Sequence, residues 1–563
     1  MISISLMTKK LISFLVLFLI LAVSSYSQVN NYKYTVAKTV YENLVTAYGI
    51  SKTPPTLIIK PKGLTGRQQI LMYYPGEHPK IVMDEQVYDL CVSMGKDSIN
   101  ALAALLGHEL AHHFKDHNWC SSFSFLLGDT SRLIKEIKEA DKKQKISFES
   151  QADDNGIFYS YIAGYPTNDV MPRLLESIYS HYKMPDKLPG YPSKNERIAI
   201  AKKRAEEVSK LIPIFDASEF MFCLREYSQA YSCLNFLAEK FPSREVHNDA
   251  GVCKLLNAVN YIGSDLLPFM LPIEFDPNTR LKNTGDRGGN ELDEREKERI
   301  KTENIKAALL QFDKAILRDP SYTNAKINKG CCYLLQKNNA YAIGIATELI
   351  NNSNGYLNSN DLSKAYTLRA IAYWQDNKKE EAIQDFEKAK KTNDNSITRY
   401  NSEIHQQLKK STLEAVLYFV YNYFKSDDKK ILNPEKALNP NQESINGQNA
   451  KNYSSSSPSN SIRIYSDTSA LINATIDKTF GRLHFLQNNY QGNFLFTKQG
   501  YSLKTAQGII LGSSKKTVEE KYGEPTYKLS VVNGEYYIYL KSKISFLIDK
   551  KGNVNKWFLF YTN

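Results

Sequence analysis

A chain of 563 residues with 42% hydrophobic and 23% charged residues is long enough for about three or four domains and too apolar to be disordered throughout. The formal net charge is +12, but the lysines are scattered over polar faces and loops, without the clustered basic and aromatic interleaving of a nucleic-acid groove; no nucleic-acid partner is expected. Seven cysteines, irregularly spaced, exclude a disulfide scaffold and leave only Cys223 and Cys233 placed to bridge adjacent helices.

Lys9 and Lys10 precede an apolar run from Leu11 to Val23 and then Ser25-Tyr26-Ser27, the pattern of a secretory signal over residues 1–27 cut near Gln28. The run is shorter than the ~20 residues that cross a bilayer, and no cysteine stands at the cut to take a lipid. The expected product is an exported protein, periplasmic or secreted, and not an integral membrane protein. Its positive charge is expected first to give a solvated, soluble surface, with peripheral association at an anionic envelope surface as the alternative.

Residues Asn31 to Gly49 have a helical pattern, and short strands follow at Thr56–Lys60, Ile70–Tyr74 and Lys80–Met83. Lys80–Asp84 is expected to be a sheet edge beside the next helix, where an extended peptide could add as a strand, or else part of a structural hairpin. That helix reads Leu105-Leu106-Gly107-His108-Glu109-Leu110-Ala111-His112-His113-Phe114. At 3.6 residues per turn His108 and His112 stack on one face and can reach one cation, with Glu109 beside it. Such a pair binds zinc, and the adjacent carboxylate can take a proton from water; a pair of satisfied helix histidines is the alternative. Burial of His108, Glu109 and His112 in so apolar a run favours a metal, since buried polar groups need partners.

A tetrahedral zinc needs a third protein ligand. The metzincin pattern is excluded, because Asn118 stands where its third histidine would be and Lys115 replaces its glycine. His113 and His117 fall on other faces of a continued helix and are expected to be structural. Downstream, Glu149 and Asp153 share a helical face one turn apart. They suit a third ligand with an orienting carboxylate behind a histidine, or merely an acidic helix start.

HELAH followed by ESQAD resembles the HtpX-type zinc metallopeptidases, metallopeptidase family M forty-eight, which includes the CAAX prenyl endopeptidases and the periplasmic BepA-type proteases. The resemblance implies a zincin-like α+β domain over residues 28–212 and one Zn2+ held by His108, His112 and Glu149. It further implies Glu109 as general base and Asp153 as a partner behind the ligands. A third family element, His-Pro followed by arginine, is matched at Pro192 and Arg197, but Tyr191 stands where the histidine is usual. Arg197 is expected behind the ligands, and Tyr191 as a donor to the tetrahedral intermediate or a packing residue. Between the motifs, Trp119 to Lys145 could form a lid, a docking ridge or a packed surface helix.

Ala230, Leu234, Leu237 and Pro242 share their offsets with Ala308, Phe312, Ala315 and Pro320, the second-helix pattern of tetratricopeptide repeats. Gly330 with Tyr333, and Ala370 with Tyr373, Ala382, Phe386 and Ala389, extend it. An α-solenoid is expected over residues 213–426, interrupted at 266–303 by prolines, glycines and a charged run expected as a mobile or solvated helix. Residues 427–461, rich in Asn, Gln, Ser and Pro, read as a linker. Residues 462–563 are expected to form a small α+β domain, a helix with antiparallel strands, whose last part is similar to SmpA or BamE-like domains.

The overall expectation is a multidomain, mainly α protein. Its function would be zinc-dependent endopeptidase action on misfolded or misassembled envelope proteins recruited by the repeats. The alternative is a chaperone or scaffold with a low-activity peptidase-like domain.

Overall fold

The computed structural model describes residues 32–48, 53–61, 71–117, 142–167, 169–186, 192–261, 269–273, 279–280, 294–351, 357–408, 435–436, 438–451, 461–466, 470–476, 480–487, 490–498, 500–531 and 534–562. The chain divides into two compact units, Met1–Ser209 and Lys210–Asn563, and helices dominate it. Among the described residues no helix is long and apolar enough to cross a membrane. The expected signal segment and most of the stretch between the two motifs lie outside the described residues.

The first unit opens with helix α1 over residues 32–48. Strands β1 (Thr56–Lys60), β2 (Leu71–Tyr74) and β3 (Lys80–Asp84) form a sheet in the order β1-β3-β2, with β1 parallel and β2 antiparallel to β3. Lys80–Asp84 is therefore the central strand and not the edge. Its run Ile81-Val82-Met83 is wholly buried, as a strand paired on both sides and covered by helices becomes. An edge of this sheet is β2.

Asp84 caps α2 (Glu85–Ser93) by accepting from the Gln86 amide. Helix α3 (Ser98–Phe114) is buried at every position from Ala101 to His113. A helix buried all round is a core helix, and α4 (Lys142–Ile162), α5 (Met171–His181) and α6 (Lys194–Ser209) belong to the same unit. Helices α3 and α4 meet at two glycines: a Cβ on Gly107 would lie 2.6 Å from Ser160 Oγ, and one on Gly156 2.9 Å from the His108 amide nitrogen. With no side chain at either position, backbone approaches backbone directly beside the histidines.

The second unit begins with helices packed consecutively on one another: α7 (Ile212–Cys223), α8 (Tyr227–Lys240), α9 (Arg244–Val259), α10 (Glu294–Arg318), α11 (Thr323–Leu335), α12 (Asn339–Asn351), α13 (Ser359–Gln375), α14 (Lys379–Thr392) and α15 (Ser396–Leu408). Gly330 of the repeat pattern marks a close contact with Leu368, and Gly251, outside the positions read from sequence, marks another with Phe312. Cys233 is a free buried thiol, and the side chain of Cys223, its expected partner, lies outside the described residues. In the interruption at 266–303, the described residues are docked: Phe269 lies against Trp374 and Phe386, and Asn401 exchanges hydrogen bonds with the Met270 backbone at 2.8 and 2.9 Å. The charged run becomes the start of α10, where exposed Arg299 pairs with Glu296 and Glu303.

The C-terminal sheet is larger than the meander read from sequence. Among the described residues it has nine strands in the order β4-β9-β10-β11-β12-β8-β7-β6-β5. These are β4 (Thr279–Arg280), β5 (Ser461–Ser466), β6 (Ala470–Ile476), β7 (Phe480–Gln487), β8 (Tyr490–Thr497), β9 (Tyr527–Val531), β10 (Gly534–Tyr539), β11 (Ile544–Asp549) and β12 (Val554–Thr562). A short helix, α16 (Lys515–Tyr522), is capped by Ser514 and ends at Gly523 with φ 82°. Phe220 of α7 lies among Phe494, Phe558 and Phe560, which joins the helical array to the sheet in one unit.

The expected linker at 427–461 also needs correction. Ile445 and Ala450 are buried in the core that holds Tyr522, Tyr537 and Trp557, and the Tyr522 hydroxyl donates to Glu443 at 2.6 Å. Its polar composition hid this, since a tight turn closed between Ile445 and Gln448 lets two apolar side chains anchor the segment.

Candidate metal centre

Along α3, His108 and His112 present their Nε2 atoms to each other at 3.1 Å. Helix α4 brings Glu149 against both, its carboxylate oxygens 3.3 Å from His108 Nε2 and 3.8 Å from His112 Nε2. One donor atom from each of the three lies within 4.8 Å of the others, and all three side chains are buried. This group could hold a metal ion.

Behind the donors is a fixed support. His108 Nδ1 is 2.9 Å from Asp153 Oδ1, one turn along α4 from Glu149. Arg197, from α6, donates to both Asp153 oxygens at 2.7 and 2.8 Å and lies 3.4 Å from Glu149 Oε2. A two-pronged guanidinium–carboxylate pair fixes orientation as well as charge. Glu109, 1% exposed, accepts from the Tyr73 amide at 2.8 Å through Oε2, so the edge strand β2 lies beside it. The Tyr73 hydroxyl meets His113 Nδ1 at 3.1 Å, a second tie between that strand and α3.

The electrostatics favour a cation. Burial opposes charge on His108, but Asp153 and Glu149 overcome it and hold the imidazole up to about 10. Glu149 is buried too, yet His108, Arg197 and His112 hold it well below the usual carboxylate range. Asp153 is likewise held down, against its burial, by Arg197 and His108. His112 is pushed well below its ordinary value by burial, with Glu149 opposing and neighbouring groups such as His108 and Arg197 adding to the fall. Two imidazole nitrogens with a carboxylate oxygen, each fixed from behind, fit a divalent cation.

The residues named from sequence are thus found together at His108, Glu109, His112, Glu149, Asp153 and Arg197. Tyr191 lies outside the described residues. His117 was expected on another face, but its Nδ1 is 2.9 Å from His112 Nδ1. The reason is a helix end. Asp116 adopts φ 56°, the His117 amide bonds to the His112 carbonyl at 3.0 Å, and the Asp116 amide bonds to the His113 carbonyl at 3.2 Å. This paired closure folds the chain back over the last turn. The overlooked signal was the helix stop itself, with an aspartate in place of the more usual glycine.

No family model and no curated protein matches the chain. Among solved structures, a monomeric mutant of IFIT1 with Gppp-AAAA is similar over 62% of this chain and 73% of that one, at 12% identity and a TM-score of 0.30. Similarity at that level bears on neither the site nor its chemistry.

Proposed function

We propose that the chain is a zinc-dependent endopeptidase of the cell envelope, with a zincin-like catalytic domain and tetratricopeptide repeats that recruit unfolded or misassembled proteins. The observation that carries this reading is the buried meeting of His108, His112 and Glu149 with Glu109 on the adjoining helical position. A purely structural metal site has no need of a buried carboxylate beside it.

In this reading His108, His112 and Glu149 would hold the ion, which would supply a Lewis acid able to acidify water and withdraw charge from a carbonyl oxygen. Glu109 takes the proton of the attacking water and returns it to the leaving amine nitrogen. The Tyr73 amide holds Oε2 of Glu109, which orients the carboxylate for that transfer. Asp153 keeps His108 in the tautomer that frees Nε2, and Arg197 anchors Asp153. An extended substrate would lie along the β2 side of the sheet, since β3 is already paired on both edges.

The test is cleavage of unfolded casein by zinc-loaded wild type and Glu109→Gln. The reading expects fragments from the wild type and a loss of at least ~100-fold in the variant, the contribution of a general base. Two equally inert proteins would favour a scaffold or chaperone whose site holds metal without turnover.

A further inference from the structure

We propose that His117 is a positioning residue for His112, so that the two histidine ligands are supported unequally, His108 by an anion and His112 by a neutral imidazole. This rests on the reading of His108, His112 and Glu149 as a metal site.

The Nε2 atoms of His108 and His112 face each other and Glu149, so a metal takes Nε2 of each ring. A neutral His112 ligated there keeps its proton on Nδ1. The acceptor at 2.9 Å is His117 Nδ1, which must then be bare. His117 consequently carries its own proton on Nε2, directed at Gln151 Oε1 at 3.4 Å. Gln151 in turn donates its amide nitrogen to Ser147 Oγ at 3.1 Å, which leaves its oxygen toward the histidine. Every hydrogen bond in this chain runs in one direction, and a single set of tautomers satisfies all of them.

The ring is also held in place. His117 stacks on Phe148, with centroids 4.1 Å apart and planes 5° from parallel, and it is 3% exposed. Its backbone is fixed by the closure at Asp116. One stretch of α4 therefore supplies Phe148 and Gln151 to support His117, Glu149 as donor, and Asp153 behind His108. Partners of this kind orient a ligand ring, and losing one costs ~10–100-fold in metal affinity.

The experiment is a zinc competition titration against a chromophoric chelator, using the full chain and its variants His117→Phe and His117→Gln, with circular dichroism and thermal unfolding on each. Phenylalanine keeps the stacking on Phe148 but cannot accept a proton, whereas glutamine offers a side-chain oxygen. The proposal expects a wild-type-like fold in both variants, zinc affinity ~10–100-fold weaker in His117→Phe, and most of that loss recovered in His117→Gln. A folded His117→Phe that holds zinc as tightly as wild type overturns the proposal and leaves the metal site standing. Absence of zinc binding in the wild type overturns both.

Discussion

Gly156 lies against the backbone of His108, where an added Cβ would come within 2.9 Å of the amide nitrogen and 3.1 Å of Cα. Backbone cannot swing aside as a side chain can, so Gly156→Ala must push α4 away from α3. Glu149 sits about two turns earlier on α4 and would be displaced with it. The variant should lose ~1–3 kcal/mol in urea unfolding, the usual cost of overpacking, and retain less zinc after dialysis. A wild-type midpoint with full zinc retention would contradict the close approach.

Arg197 and Asp153 form a buried ion pair, and removing one partner leaves the other charged and uncompensated. Arg197→Met should therefore cost ~3–5 kcal/mol. Arg197→Lys keeps the charge but loses the planar fork, and should fall between wild type and methionine. Denaturant midpoints of the three proteins provide the check; equal values would mean the pair is not buried.

In the second unit, Ile445 is fully buried beneath the sheet. Ile445→Ala should destabilise that unit by ~2–5 kcal/mol, as core truncations do, and increase proteolytic cleavage between residues 438 and 451. Resistance equal to wild type in urea and to protease would return this segment to the status of a linker.

Glu226 is raised from 4.5 to about 7 by burial, with Lys543 opposing. Its folded state binds the proton more tightly than the unfolded state, so this group's stabilising contribution is complete below the unfolded pKa. The contribution declines as pH rises through the interval to the folded value, then stays level. Glu226→Gln removes that decline. The variant should melt a few degrees above wild type at about pH 8 and close to it at about pH 4. Parallel Tm profiles across this range would count against the shift.

The sequence revealed the parts of the site that follow from helical period alone. His108 and His112 stack because they are four apart within a buried helix, and Glu149 with Asp153 likewise. What it concealed depended on where elements stop and how they meet. His117 reaches His112 because the helix closes at Asp116, and a reading that continued the helix sent it elsewhere. Gly107 and Gly156 look like weak points in isolated helices, and their purpose is visible only once two helices cross. The middle position of Lys80–Asp84 follows from the pairing of β1 and of β2 with its two sides, a long-range property. The packed segment around Ile445 was hidden by polar composition, which two buried side chains outweigh, whereas strands β5 to β8 carry a two-residue apolar alternation whose pairing into the sheet is a long-range property.

If α3 and α4 together build a metal centre, the purified protein's metal content reveals it. Chains purified without chelator and dialysed against trace zinc should carry one ion per wild-type molecule by elemental analysis. Glu149→Ala, folded by circular dichroism, should carry far less. Equal zinc in the two proteins would remove Glu149 from the ligand set, and no zinc in either would contradict the metal centre.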